Sequence, residues 1–577
     1  MKWFFEPRRD DDRSGRDEDD SASGLISLPA PLLQRHGARM LDPGSAVAVR
    51  GYPTPRSTVY RTRTLLVPGD LLRDRAFIGA VNRVLDRVGM NLVPIGPDQG
   101  TGDGHGDILA EVRRLPRPAV LVPAEGATIP AEIDAWKALQ TLRAAATARE
   151  RPELDDAAVQ RIALEHLLIG STVTGSPIGS LGGGIPSSPG TGNDSTDSYL
   201  FSGGDARTPV AVLMDAPKRR SAGECSYEFG RRPVLAVLDT GLRVHPWLDV
   251  TARPGGGYET AADGFTAVDH DIQKAIRAAG ELAAAGGDRP REVIRHPWDT
   301  TVTTDPLVGE LDDATGHGTF IAGIVRQVAP DARVLAVRIM HSDDIAYEGD
   351  ILCALAQLAE RVAYAEAGDP AAMVDVVSLS FGYFSESPSD MAFSFAMWQA
   401  IKILLDMGVV VIAAAGNYST GRLFYPAAFT LQPVPAGQVS VISVGALNPN
   451  GSKAVFSDDG RWITAWAAGA AVVSTFPTDI NGSRNPELSI RAHAATQLPP
   501  GVPLPAEREA LDPDDYSGGF AVWTGTSFSA PLLAAHVIGS LLEGAAGAGP
   551  GLRLDIPGQA AAADRAMAAL TNLGWQG

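Results

Sequence analysis

Cysteine is nearly missing: Cys225 and Cys353 are the only two in 577 residues. That scarcity excludes a disulfide framework and a cysteine-built metal site, and both residues are expected as free thiols. Positive charge is also short, with 49 Lys and Arg against 68 Asp and Glu and a net charge of −19. Neither nucleic acid nor an anionic membrane is an expected partner for such a surface. Long apolar runs are absent near the start, where Trp3, Phe4 and Phe5 precede a charged stretch. Three apolar side chains are too few for the apolar region of a signal peptide, and no later stretch reads as a membrane span. A cytoplasmic location is the resulting expectation. What is present, 45% hydrophobic and 20% charged residues over this length, suits a soluble chain of several domains with a sizeable core.

Composition divides the chain. Residues 1–55 read as a disordered or irregular, charge-mixed tail. Residues 56–169 read as a small α/β domain: a strand over 59–67, a helix after Pro68-Gly69-Asp70 with Phe77, Ile78, Val81, Val84, Leu85 and Val88 on one face, short strands at 91–95 and 119–122, and helices over 131–146 and 155–168. Residues 170–208 are rich in Gly, Ser, Pro and Thr and are expected as a linker. From 209 to 545, apolar runs at 234–238, 333–339, 374–379, 409–414 and 441–445 alternate with helical patterns at 351–367 and 393–407. Such alternation predicts a parallel sheet covered on both faces, with chemistry at the carboxyl ends of the strands. Residues 546–577 form a C-terminal extension.

Four short stretches carry the chemistry. Gly525-Thr526-Ser527-Phe528-Ser529-Ala530-Pro531 opens a long apolar segment. It sets the Ser527 hydroxyl at a helix start, where unpaired backbone N–H groups can receive a developing oxyanion. Taken alone, Thr526 or Ser527 would be read as a helix N-cap. Gly316-His317-Gly318-Thr319 puts an imidazole at the start of another apolar helix, Asp239-Thr240-Gly241 ends an apolar strand, and Ala413-Ala414-Ala415-Gly416-Asn417 runs a strand into a turn. Singly, His317 is more often structural and Asn417 is a turn residue. Together they supply a nucleophile, a base, a group to orient the base and an amide donor.

This set, in the order Asp239, His317, Asn417, Ser527, resembles the subtilisin-like serine peptidase family over residues 209–545. The resemblance implies an α/β, subtilisin-like three-layer fold with a mostly parallel sheet, preceded by the small α/β N-terminal domain. It implies a serine endopeptidase acting on polypeptides, with Ser527 as nucleophile, His317 as proton carrier, Asp239 as its orienting carboxylate and Asn417 as oxyanion donor. Val377-Ser378-Leu379-Ser380-Phe381-Gly382 resembles the family's substrate-binding strand, and Ala414, Ala415 and Gly416 suggest an apolar pocket wall. No cofactor is required. Asp312-Asp313 and Asp343-Asp344 could contribute to a structural calcium site of the kind the family often has, and are read first as solvated loop carboxylates.

Phe320 and Phe528 depart from the family pattern at apolar packing positions. Insertions at 250–313 and 478–519 are either lids or irregular chain. By resemblance of architecture alone, residues 59–168 are a propeptide with its cut site in the 170–208 linker. The rival expectation is a retained regulatory domain that binds a protein activator or inhibitor. The alternative to a peptidase is a catalytically silent module that holds peptides in the same cleft.

Overall fold

The computed structural model describes residues 3–6, 28–95, 107–125, 132–148, 152–171, 207–254, 256–300, 303–305, 310–366, 368–387, 396–482, 489–490, 508–509, 511–512, 515–547 and 552–575. One of its two eight-stranded sheets runs in the order Trp3–Phe5, Ala465–Ala468, Ile442–Leu447, Val410–Ala414, Val376–Leu379, Val234–Asp239, Arg333–Arg338, Thr266–Val268. All seven strands after the first are parallel, and the five expected apolar runs are its five central members. These runs are continuously apolar because both faces are covered. Leu235, Val237, Val376 and Val410 pack under helices His317–Val328 and Thr526–Gly547, while Ala236, Leu238, Val377 and Val411 pack under Glu348–Glu366 and Ala396–Asp406. The result is the expected three-layer α/β fold. Helix Thr526–Gly547 is long and apolar enough to cross a membrane by length and composition, contrary to the reading that no stretch is. It is the core helix of this layer, with 72% of its most apolar window buried. The 546–577 extension supplies helix Gln559–Asn572, fastened to that core helix by the Ser540 hydroxyl on the Ala569 carbonyl at 2.9 Å.

The N-terminal domain is an antiparallel sheet in the order Ala163–Gly170, Thr58–Pro68, Pro116–Pro123, Met90–Pro94, backed by helices Arg75–Asp86 and Ala135–Ala146. Strand, helix, two strands, helix and strand in that order form a split βαβ sandwich. Its core gathers Leu65, Val81, Leu121, Leu139 and Leu164.

Three further expectations differ from what is seen. Residues 155–168 are not one helix: a single turn at Asp156–Val159 precedes strand Ala163–Gly170, every residue of which is buried. A short apolar run buried on both faces has no period that separates helix from strand, and tertiary pairing decides. Second, the 1–55 tail contains a strand, Trp3–Phe5, antiparallel to Ala465–Ala468, and a helix and strand at Ala30–Arg35 and Ala38–Leu41. Third, the 250–313 insertion contains helix His270–Ala285 and strand Thr266–Val268. The linker falls outside the described residues from 172 to 206, as does most of 478–519.

A buried ionic cluster joins the two domains. Arg61 reaches Asp288; Arg291 reaches Asp288 at 3.0 Å and Asp350 at 2.6 Å; Glu165 lies 3.7 Å from both guanidinium groups. Both arginines lie against the same tyrosine, 4.5 and 4.6 Å from the Tyr347 ring centroid. Burial pushes the Glu165 and Asp350 carboxyls up in spite of the arginines, whereas at Asp288 the same arginines overcome burial and hold it down. Removing one cation from such a group leaves buried carboxylates uncompensated. Arg291→Met should therefore lower the unfolding free energy by about 3–5 kcal/mol, read from urea unfolding of the two full chains; a loss below about 1 kcal/mol would mean that the cluster contributes no more than a surface pair.

Candidate active site

Asp239 closes strand Val234–Asp239 at its carboxyl end, and the imidazole comes from the first residue of helix His317–Val328. The helix starts there because Gly316, at φ +81°, takes a left-handed turn, and a side chain at that position would meet the Phe476 ring. His317 Nδ1 lies 2.8 and 2.9 Å from the two Asp239 oxygens. Nδ1–H therefore donates to the carboxylate, and Nε2, which has no partner among the described residues, is left as the acceptor. The ring is held edge-on by Trp523 and tilted against Phe528, each 5.5 Å away, and Phe528 packs on Phe320 at 4.5 Å. The two departures from the family pattern are thus packing residues.

Ser527 is the second residue of helix Thr526–Gly547, and its backbone N–H points out of the helix start. Its carbonyl is freed by Pro531, which has no N–H to donate back four residues, and it accepts instead from the Ser380 hydroxyl at 3.0 Å. The Ser527 hydroxyl donates to the Ser380 carbonyl at 3.1 Å. Asn417 is fixed by its oxygen end: Oδ1 accepts from Thr526 N–H at 3.0 Å and Thr526 Oγ1–H at 2.9 Å, while Gly416 N–H donates to Thr526 Oγ1 at 3.1 Å. Those bonds decide the orientation of the amide, so Nδ2, without a partner among the described residues, is the free end.

The cleft is filled by the chain's own strand. Residues 167–170 of strand Ala163–Gly170 run between two segments of the other domain, antiparallel to Ile345–Tyr347 on one side and to Phe381–Phe384 on the other. Gly170 N–H donates to the Asp344 carbonyl at 3.0 Å, Ser171 N–H to the Ser380 carbonyl at 2.9 Å, and Ser527 N–H to the Ser171 carbonyl at 2.9 Å. Gly170 is required here by close approach, since a Cβ would clash with the Asp344 carboxylate.

Of the expected substrate-binding residues, Ser380, Phe381 and Gly382 meet this strand. Ser378 and Leu379 do not: they belong to the core strand Val376–Leu379, paired on both sides within the parallel sheet, and the chain turns out of that sheet only at Ser380. Ala414 closes strand Val410–Ala414, Ala415 N–H bonds the Val444 carbonyl, and Gly416 serves the Asn417 turn. Asp312, Asp343 and Asp344 are buried rather than solvated. Asp343 is bound by Arg35 at 3.0 Å and His36 at 2.9 Å, and Asp312 accepts from the Ser342 hydroxyl at 2.6 Å. Among the described residues no group of three His, Cys, Asp or Glu gathers to hold a metal.

Sequence reasoning missed Thr526 as the amide clamp, Ser171 as the residue in the cleft, and Asp299. Asp299 sits in the 250–313 insertion, wholly buried, with Oδ2 accepting from Gly316 N–H at 2.7 Å and Oδ1 without a partner among the described residues. Burial pushes its carboxyl up to about 7, against the pull of Arg338 and the Gly316 N–H, and nearby Asp239 adds to the rise.

An Asp-oriented imidazole at one helix start and a serine at another, flanking the carboxyl end of a parallel sheet, define a subtilisin-like α/β scaffold. Residues 230–550 match the Subtilase family, and the chain belongs to that family. It is similar to subtilisin DY of Bacillus licheniformis, 29% identical over 196 residues that cover 32% of this chain and 62% of that protein. Subtilisin BL of Lederbergia lenta is also 29% identical, over 32% of this chain and 61% of its own length. The chain thus spans about three-fifths of these curated relatives. Among solved structures, fervidolysin of Fervidobacterium pennivorans, a keratinolytic enzyme related to subtilisin, is 16% identical with a TM-score of 0.39, covering 86% of this chain and 56% of that one.

The raised Asp299 carboxyl has a sign that can be tested. Folded, it keeps its proton to about pH 7; unfolded, it releases it near pH 4. Between those values the native state binds the extra proton, so stability falls as pH rises. The full span corresponds to about 4 kcal/mol. Asp299→Asn should flatten that decline in urea unfolding measured between pH 4 and 7, and parallel pH slopes for the two chains would show that the carboxyl is not held protonated.

Proposed function

We propose that the chain is a serine endopeptidase whose N-terminal domain holds it latent as a bound substrate and is cut after Ser171. The single observation that carries this reading is the 2.9 Å hydrogen bond from Ser527 N–H to the Ser171 carbonyl. In it, a carbonyl already rests on an oxyanion donor beside the serine.

In the reaction, the Ser527 hydroxyl leaves the Ser380 carbonyl and turns to His317. Nε2 takes its proton as Oγ attacks the Ser171 carbonyl carbon. The oxyanion receives Ser527 N–H and Asn417 Nδ2–H, while Asp239 holds the imidazolium that forms. Collapse breaks the C–N bond to the next residue, whose amine takes the proton from Nε2, leaving an acyl-Ser527. Water then attacks, giving its proton to His317, and Ser527 regains a proton as the Ser171 carboxylate is released. Apart from the water, every group named is supplied by this chain. The Ala163–Gly170 strand supports the same reading for substrates acting in trans, since an extended polypeptide would take its place between Ile345–Tyr347 and Phe381–Phe384.

Intact mass measurement of the purified chain tests this. Wild type should yield a fragment ending at Ser171 and a larger remainder; Ser527→Ala should stay whole, and Asn417→Ala should slow cutting about 10²–10³-fold, the cost of one oxyanion donor as known from a subtilisin. A fluorophosphonate should add to the wild-type remainder once the fragment has been removed, and not to Ser527→Ala. Full-length wild type carrying no adduct would favour the silent peptide-holding module.

A further inference from the structure

The strand that fills the cleft carries one cation into it. His166 is buried, with Nδ1 2.6 Å from Glu348 Oε2 and Nε2 2.8 Å from Glu386 Oε2. Its ring stacks on Tyr383 at 4.3 Å with 24° between the planes. Both carboxylates belong to the peptidase side and stand on opposite walls of the cleft. Glu348 directly follows the Ile345–Tyr347 wall, whereas Glu386 lies two residues beyond the Phe381–Phe384 wall. Both are nearly inaccessible, at 2% and 6% exposure. Two like charges buried on either nitrogen of one ring need a cation between them, because neither can be left unpaired at low cost. Burial by itself would lower the imidazole, but Glu348 and Glu386 outweigh it and push His166 up to about 10. The histidine is thus an imidazolium, and Glu386 in turn is held down by it against the effect of burial.

The register fixes where this cation falls. Leu167, Leu168 and Ile169 pair with Tyr347, Ala346 and Ile345; Ile169 and Gly170 pair with Gly382 and Phe381; Ser171 reaches Ser527. Counting back from the Ser171 carbonyl, His166 is the sixth residue. The four between are Leu, Leu, Ile and Gly, so charge enters the cleft strand only at that sixth place and, one residue further, at Glu165, which faces the interdomain arginines.

We propose that Glu348 and Glu386 form an acidic subsite of the peptidase cleft that takes a cationic side chain on the sixth residue amino-terminal to the cleaved bond. The substrates cut in trans are then polypeptides with Lys, Arg or protonated His at that position. This rests on the reading above that the Ser171 carbonyl occupies the place of attack. Loss of one partner from a buried, hydrogen-bonded charge pair weakens binding by at least about tenfold, which sets the expected size of the preference.

Two measurements test it, the first free of catalysis. In the full chain carrying Ser527→Ala, hydrogen exchange of the Ala163–Gly170 amides should speed up at least about tenfold on His166→Ala and return toward the parent on His166→Lys. With Glu348→Gln and Glu386→Gln also present, His166→Ala and His166→Lys should exchange alike. In the second, wild-type protein that has cut itself and been separated from its N-terminal fragment is given quenched fluorescent peptides X-Leu-Leu-Ile-Gly-Ser-Thr-Val, with X Lys, Ala or Glu. kcat/KM should favour Lys over Ala by about tenfold or more, with Glu lowest, and the Lys-to-Ala ratio should collapse toward one in the Glu348→Gln/Glu386→Gln protein. A flat peptide series beside intact coupling in exchange would overturn the proposal, confining the acidic pair to docking of the N-terminal domain. So would a Lys preference that survives the double substitution. Peptides left uncut by wild type and Ser527→Ala alike would instead sink the peptidase reading.

Discussion

The hydrogen bond between Ser527 N–H and the Ser171 carbonyl is the contact on which the architecture turns. For it to form, the N-terminal sheet must end in a strand that leaves its own domain and enters the other, and the helix carrying Ser527 must begin with its first N–H groups unspent. Pro531 adds a separate tie: having no N–H to return to the Ser527 carbonyl, it leaves that carbonyl free for the Ser380 hydroxyl. Ser380 then bonds to Ser527 with both its hydroxyl and its carbonyl, and the same carbonyl receives Ser171 N–H. One residue at the bend out of the core sheet thereby ties the serine and the occupant together.

The domain interface has two physical characters on the two faces of the cleft strand. Glu165 points into the cluster of Arg61 and Arg291, and His166 points to Glu348 and Glu386. His166 meets two carboxylates that would otherwise be left buried without a cation, whereas Glu165 joins arginines that Asp288 and Asp350 already pair. Apolar burial would hold such a strand in any register that kept the same face inward, whereas charges with buried partners hold it in one. The position of Ser171 relative to Ser527 depends on that register, since a slip of two residues would keep the apolar face and present a different carbonyl.

Much of this was legible in the sequence, and the boundary is physical. Asp239, His317, Asn417 and Ser527 announced themselves because each stands in glycine-marked or apolar surroundings that a catalytic residue type needs. The five core strands were visible because burial on both faces makes continuous apolar runs. Strand Ala163–Gly170 was not, because every partner is remote in sequence, from Thr58–Pro68 in its own domain to Glu348 and Glu386, 182 and 220 residues from His166, and a short run contains no record of what it pairs with. Asp299 was hidden for a related reason: an aspartate in a long insertion reads as a solvated loop residue until the fold sets it under Gly316. Ser378 and Leu379 were placed in the cleft because the turn out of the sheet at Ser380 leaves no mark in the motif.

Cutting after Ser171, as proposed, would remove a covalent link without touching what holds the two parts together. The pairing of Ala163–Gly170 with both cleft walls, the Arg61 cluster and the His166 site all lie on the amino side of that bond. A second attachment stands at the edge of the parallel sheet: Trp3–Phe5 pairs with Ala465–Ala468, Glu6 accepts from the Trp466 indole at 2.5 Å, and Lys453 sits 3.9 Å over the same indole ring. With two attachments on one fragment, release of either leaves the other to return it, at a high effective concentration set by the chain between them. Cleavage and activation would therefore be separate events. The step that frees the cleft is the loss of a fragment bound at two places, and its rate depends on the ionic contacts that also set the register.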